Sequence, residues 1–376
     1  MSTFTVYFCG TGSNRFDDQH HSYWNGELVS TLANNTLDKE FAHWIVLDGP
    51  GSGNLQSDEL TIQTKDHPYA GVAFGTGWEE NVNHAVNMIK GDVAWKRQKL
   101  TQENFDRLQA AGIPIHEVEE EGRFWWRTYD YGNRKVTQQD LQQGIIRMFR
   151  KDGILPTQVN LVGWSRGGIS CHMLANAMLA DPELKHIPVN IFAVDPVPGI
   201  LNFQLEKVTL GNNVKEYVGL YARDERSKGF ACVIPMTAAN TKVSIYPMFG
   251  RHGTLVGNAA PDGNKGTKAL AEPGEIVRHL AEVCLTRWDV SLDKMLMLDD
   301  RAIEQRQKAI LAQESDYINM QKHSYTLITE NEKGERAVSL GSKGMGFSEV
   351  NGPYLSPATG LSADLSMDRT LYKHIR

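Results

Sequence analysis

The run Gly163-Trp164-Ser165-Arg166-Gly167 is where the sequence best supports chemistry. A serine hydroxyl is a poor nucleophile until a base takes its proton. A G-x-S-x-G run between an apolar strand and a helix presents the serine on a strained turn, and its glycines keep side chains clear of the neighbouring strand and helix. Here it lies between the apolar run Gln158–Val162 and the helical pattern Ile169–Leu179. Such a serine requires a histidine. His252, in Phe249-Gly250-Arg251-His252-Gly253, is the only histidine that follows a predicted strand end at the expected place. A carboxylate must orient the imidazole. Asp224, in Ala222-Arg223-Asp224-Glu225-Arg226, is preferred because it ends the second strand after the nucleophile strand. Asp195, in Asp195-Pro196-Val197-Pro198-Gly199, ends the first and is the alternative. Two backbone N–H groups must face the charge that develops on the substrate oxygen. Arg166 is expected to give one and the turn Gly10-Thr11-Gly12 the other, through Thr11 and Gly12. The loop Asp48-Gly49-Pro50-Gly51 competes for that role.

Alternating strands and helices must position these groups. Strands are predicted at Thr3–Phe8, Trp44–Leu47, Gln158–Val162, Val189–Val194, Glu216–Tyr221 and Lys242–Tyr246. Trp78–Lys90 is predicted helical, with Val82, Ala85, Val86 and Ile89 on one face. A capping box at Thr137–Asp140 opens a helix Gln138–Arg150, and further helices are expected at Glu275–Trp288 and Asp299–His323. This order implies a mostly parallel sheet with helices on both faces. With the serine turn, it implies an α/β-hydrolase fold. The expected organisation is a catalytic domain over 1–290, with cap insertions near 91–135 and 253–274, and a C-terminal helix and tail of unknown role over 291–376. Gly253–Gly274 has no apolar stripe to anchor it, which suits either a mobile cover over the site or a plain surface connection.

Composition excludes several classes. A net charge of −6 offers no basic face for nucleic acid. No apolar run reaches the length of a membrane span. The opening Met-Ser-Thr-Phe-Thr-Val-Tyr-Phe lacks the basic-then-apolar pattern of a cleavable signal, so synthesis in the cytoplasm without a signal peptide is expected. The four cysteines lie far apart, with no spacing for a zinc site or a disulfide frame. Asp17-Asp18-Gln19-His20-His21 reads as a solvated polar loop. No metal and no cofactor are expected.

Taken in order, these motifs resemble a family of bacterial α/β-hydrolase domains that includes phospholipase effectors of type VI secretion systems. The matching runs are Cys9-Gly10-Thr11-Gly12-Ser13-Asn14, Gly163–Gly167, Asp195-Pro196-Val197, Asp224-Glu225-Arg226 and Phe249-Gly250-Arg251-His252, five elements within residues 4–253. Cys9 stands where the family pattern has Asp, the spacer before Arg226 is missing, and the glycine-rich run after the histidine is reduced to Gly253-Thr254-Leu255-Val256-Gly257. The resemblance implies a lipase or phospholipase acting on a lipid or other ester substrate as an antibacterial toxin. It also implies export by a type VI system, with an immunity protein and a secretion-apparatus component as partners.

Other chemistries fit parts of the same sequence. Cys9 and Arg15 satisfy C-x5-R, the phosphate-cradling loop of cysteine phosphatases. A cytosolic small-molecule esterase would use the same serine and histidine. A hydrolase-like scaffold that only binds would keep the fold without turnover.

Overall fold

A computed structural model describes residues 2–49, 78–91, 155–199, 202–260, 269–325, 331, 333–334 and 336–340, with short strands at 119–121, 128–130 and 344–346. The strands are β1 (Thr3–Phe8), β2 (Trp44–Leu47), β3 (Glu119–Glu121), β4 (Thr128–Asp130), β5 (Gln158–Trp164), β6 (Val189–Val194), β7 (Val214–Ala222), β8 (Cys232–Ile234), β9 (Lys242–Met248), β10 (Ala337–Leu340) and β11 (Gly344–Gly346). Six of them form one sheet in the order β2-β1-β5-β6-β7-β9. Every pairing in it is parallel. β3 and β4 pair antiparallel with each other, and β8 joins β10 and β11 in a separate small sheet.

Parallel strands are covered on both faces, so their residues are apolar almost without interruption. β6 reads Val-Asn-Ile-Phe-Ala-Val and is buried throughout. Successive side chains then feed opposite cores. Phe4, Val6 and Phe8 of β1 enter a cluster with Val82, Ala85, Met88 and Ile89 of helix α2 (Trp78–Lys90), behind helix α1 (Leu28–Asn34) in the chain. Helix α3 (Arg166–Ala180) joins that cluster through Ile169, Cys171, Leu174 and Met178. Tyr7 and Cys9 enter the opposite cluster with Leu28, Val29 and Leu32 of α1. Past the short helix α4 (Leu205–Val208), that second cluster takes Ile276, Val277, Leu280 and Cys284 from helix α5 (Glu272–Arg287). This is an α/β fold with helices on both faces of a parallel sheet, the arrangement of an α/β-hydrolase-like fold.

Several boundaries differ from the sequence reading for physical reasons. β9 runs on through Pro247 to Met248, which it can do because it is an edge strand and its outer side needs no ladder donor. α5 starts at Glu272 rather than Glu275, because Pro273 fits a first helical turn. The single helix expected over Asp299–His323 is two, α6 (Asp300–Ala312) and α7 (Glu314–Met320), joined at Gln313. The segment 253–274 is described at 253–260 and 269–274, and those parts are anchored. Leu255, Val256 and Leu270 are buried, and Leu270 N donates to Ala259 O at 2.8 Å. Residues beyond 290 share the main core too: Ile310, Tyr317 and Met320 pack in the same cluster as β1 and α5. The helix predicted over Gln138–Arg150 and most of the 91–135 insertion lie outside the described residues. Among the described residues, no helix is long and apolar enough to cross a membrane.

Candidate active site

In open parallel sheets a ligand crevice forms where neighbouring strands send their connections in opposite directions. Here that point lies between β1, whose next strand pairs on one side, and β5, whose next strand pairs on the other. The C-terminal ends at this switch are Phe8-Cys9-Gly10 and Trp164-Ser165. Topology therefore brings the glycine turn and the serine turn together.

Ser165 has φ 56° and ψ −128°, a region that side-chain-bearing residues rarely occupy. Holding it there costs about 1–3 kcal/mol, and such strain collects at functional sites. The surrounding bonds fix the turn: Ser165 N donates to Val194 O at 3.0 Å, and Val197 N donates to Ser165 O at 3.1 Å. Close packing explains the glycines. A Cβ on Gly163 would run into Gly167 O, and one on Gly167 would run into Phe8 O.

His252 begins a short 3-10 turn, His252–Val256, just after β9. Its Nδ1 lies 2.7 Å from Asp195 Oδ2. Asp195 also sits at positive φ, 42°, and its Oδ1 accepts from Ala222 N at 3.1 Å. Burial alone would raise this carboxyl. The Arg336 guanidinium and the bond to His252 outweigh burial and hold it below the usual carboxylate range. Among the described residues, three aromatic rings lie against the imidazole. Trp164 and Phe230 have centroids 5.1 Å from it, and Tyr325 lies at 6.2 Å. His252 Nε2 is buried and has no hydrogen-bond partner among the described residues.

The preference for Asp224 does not survive the geometry, because its carboxylate is occupied elsewhere. Asp224 Oδ2 accepts from Gly250 N at 2.9 Å, Oδ1 accepts from Gln321 Nε2 at 2.8 Å, and Arg223 Nε donates to Oδ1 at 3.1 Å. Burial pushes Asp224 up from its ordinary value, against the pull of Arg223 and these bonds. Its neighbour Glu225 accepts from His252 N at 3.2 Å and from Ser227 N at 2.6 Å. The Asp224-Glu225 pair thus braces the Gly250–His252 turn through its backbone.

The turn after β1 is tied to the serine from the side. Ser13 N closes it on Gly10 O at 2.9 Å, and Arg166 Nη1 donates to Thr11 Oγ1 at 2.7 Å. The competing loop at Asp48 supports this turn: Gly49 N donates to Ser13 O at 2.9 Å, and Asp48 Oδ1 accepts from Arg15 N at 2.9 Å. Pro50 and Gly51 lie outside the described residues. Cys9 does not fit a phosphatase. Its thiol is buried, and burial, then Glu27, Asp48 and Asp17, push it well above its ordinary value. A nucleophilic thiolate needs the opposite setting. Arg15, the would-be phosphate ligand, pairs with Glu40 at 2.9 Å.

Arg336, Tyr325 and Phe230 carry no motif, and Glu225 lies in a motif read for its aspartate; the sequence reading missed all four as neighbours of His252. Ala337-Val338-Ser339-Leu340 does alternate like a strand, but only its parallel pairing with Cys232–Ile234 brings Arg336 to Asp195. Among the described residues, no group of three or more His, Cys, Asp or Glu could hold a metal ion.

No protein-family model matches the chain, and no curated protein does. Among solved structures it is similar to an uncharacterized protein from Pseudomonas aeruginosa, at 14% identity over 83% of this chain and 51% of that one, with a TM-score of 0.44. It is also similar to the Tle1 effector bound to the VgrG spike from the Type 6 secretion system, at 14% identity over 68% and 50%, with a TM-score of 0.33. The chain spans about half the length of each of these structures.

Proposed function

We propose that the protein is a serine ester hydrolase in which Ser165 is the nucleophile, His252 the general base and Asp195 the orienting acid. The observation that carries this reading is the 2.7 Å contact between His252 Nδ1 and Asp195 Oδ2, at strand ends beside a serine turn held at positive φ. A proton on Nδ1 shared with Asp195 leaves Nε2 as the basic nitrogen. Ser165 Oγ attacks the acyl carbonyl as Nε2 takes its proton. The carbon–oxygen bond to the leaving alcohol then breaks, and His252 returns the proton to it. Water repeats the sequence on the acyl-enzyme. The oxyanion is met by the backbone N–H groups of Arg166, at the N-terminus of α3, and of Thr11 and Gly12, which the Arg166–Thr11 bond keeps close.

The substrate is an acyl ester of a lipid or phospholipid, and the protein acts as an exported antibacterial effector. The ordered motifs from Cys9 to His252 support this part of the reading, along with an immunity protein and a secretion-apparatus component as partners. A panel of p-nitrophenyl esters of rising chain length, assayed beside phospholipid vesicles, tests it. Turnover that rises with chain length, with fatty acid released from vesicles, is expected. Turnover of short soluble esters only would replace the lipase reading with a small-molecule esterase. No turnover by folded protein would leave a binding scaffold.

A further inference from the structure

Asp195 Oδ2 is shared. It accepts from Arg336 Nη2 at 2.9 Å as well as lying 2.7 Å from His252 Nδ1, and the side chains of Arg336 and Asp195 are 2% and 0% exposed. Arg336 comes from the C-terminal part of the chain and immediately precedes β10. Two further ties hold it in place. β10 pairs in parallel with β8, whose Val233 N donates to Pro196 O at 2.9 Å, next to Asp195 itself. Arg226 Nε donates to Gly334 O at 2.8 Å, just before Arg336. A buried carboxylate usually needs several donors to stay charged. Asp195 obtains one from the backbone at Ala222 and a fixed cation from a distant segment.

We propose that Arg336 is a positioning residue: it acts through Asp195 to fix the His252 imidazole and to set the pH at which the Asp195–His252 pair takes up a proton. This rests on the hydrolase reading above. Arg336 supplies a permanent positive charge, because guanidinium does not lose its proton in the working range. That charge stabilises Asp195 as carboxylate and opposes a second positive charge on the imidazole beside it.

Other groups face this pair and its arginine among the described residues. From β7 and the turn after it come Tyr221, Glu225, Arg226 beside Arg336 and, through Glu225, Arg251; from β8 comes Cys232; from beyond α7 comes Tyr325. Burial pushes Cys232 and Tyr325 up to about 12 and Tyr221 well above its ordinary value. None of these three changes charge between about pH 5 and 9, where a histidine base titrates. Trp164 and Phe230 carry no charge. Among the described residues, Arg336 is thus the cation in direct contact with Asp195, and it is held by the same oxygen as the imidazole.

The test compares wild type with Arg336→Gln and Arg336→Lys on a soluble ester across pH, after circular dichroism and melting show each variant folded. Arg336→Gln is expected to lower kcat by about tenfold or more with KM little changed, as when a general base loses its alignment. It is also expected to move the acid limb of the rate profile up by about one pH unit, the size of effect that a neighbouring charge exerts. Arg336→Lys keeps the charge, so it restores the acid limb while recovering only part of kcat. A loss of kcat with the acid limb unmoved would make Arg336 a structural residue only and overturn the proposal. So would an Arg336→Gln enzyme equal to wild type. Histidine ring resonances followed by NMR in a Ser165→Ala background give a second readout that needs no turnover. There the His252 midpoint is expected to rise on adding Arg336→Gln, and an unmoved midpoint contradicts the proposal. A wild type without activity but with that rise would remove the hydrolase reading and leave the coupling standing.

Discussion

Two aspartates end neighbouring strands, and only their bonding partners distinguish them. Asp195 shares its charge with the imidazole and Arg336, whereas Asp224 spends its acceptors on Gly250 N, Gln321 and Arg223. Asp195→Asn is therefore expected to cut kcat by roughly a hundredfold or more, because an amide favours the wrong imidazole tautomer. Asp224→Asn should cost less than about tenfold in kcat but lower the melting temperature, since it disturbs the turn that carries His252. A larger kcat loss in Asp224→Asn than in Asp195→Asn, both folded, would return the acid to the later strand. Ser165 and His252 stand out in the sequence as candidates because each lies in a short local pattern. The choice of carboxylate does not. It depends on how the loops after β6 and β7 turn, including the positive φ at Asp195, and strand order does not encode that.

The six strands of the main sheet were legible for a simple reason: buried parallel strands are nearly continuous apolar runs, and each ended at a glycine or aspartate loop, whereas the short strands β3, β4, β8, β10 and β11 carry no such run. Elements without such a pattern were read less well. The described parts of the Gly-rich stretch after His252 pack by backbone contact and by single residues such as Leu255, so no stripe announces them. Helix α1 shows another device invisible to periodicity. Its N-cap is Glu27, whose carboxylate accepts from Val29 N at 3.1 Å and Ser30 N at 2.7 Å while completely buried. Burial outweighs those bonds and pushes Glu27 up to about 7. Because the folded-state value is raised, the fold favours the protonated carboxyl. Its contribution to stability is full below the ordinary carboxylate value and is lost as pH rises through about 7. Wild type should therefore lose melting temperature between about pH 4.5 and 7, and Glu27→Gln, which cannot ionise, should lose less. Identical pH dependence in the two proteins would show that Glu27 does not titrate in that window.

The chain as a whole is organised around the switch between β1 and β5, and that much follows from strand order. Residues on either side of position 290 pack together. Tyr317 stacks edge-on against Phe249 at 5.7 Å, and Arg336 reaches Asp195 across 141 positions of sequence. Contacts of that separation leave no local trace, which is why a tail without motifs gave no sign of lying against the site. The claim on which all else depends is that Ser165 is an activated nucleophile. A fluorophosphonate probe, which bonds only to a serine made reactive by its surroundings, measures this directly when the labelled peptide is identified by mass spectrometry. One adduct is expected, on Ser165, absent in Ser165→Ala and strongly slowed in His252→Ala. A folded protein that takes no label, or takes it at a serine other than Ser165, would contradict the claim.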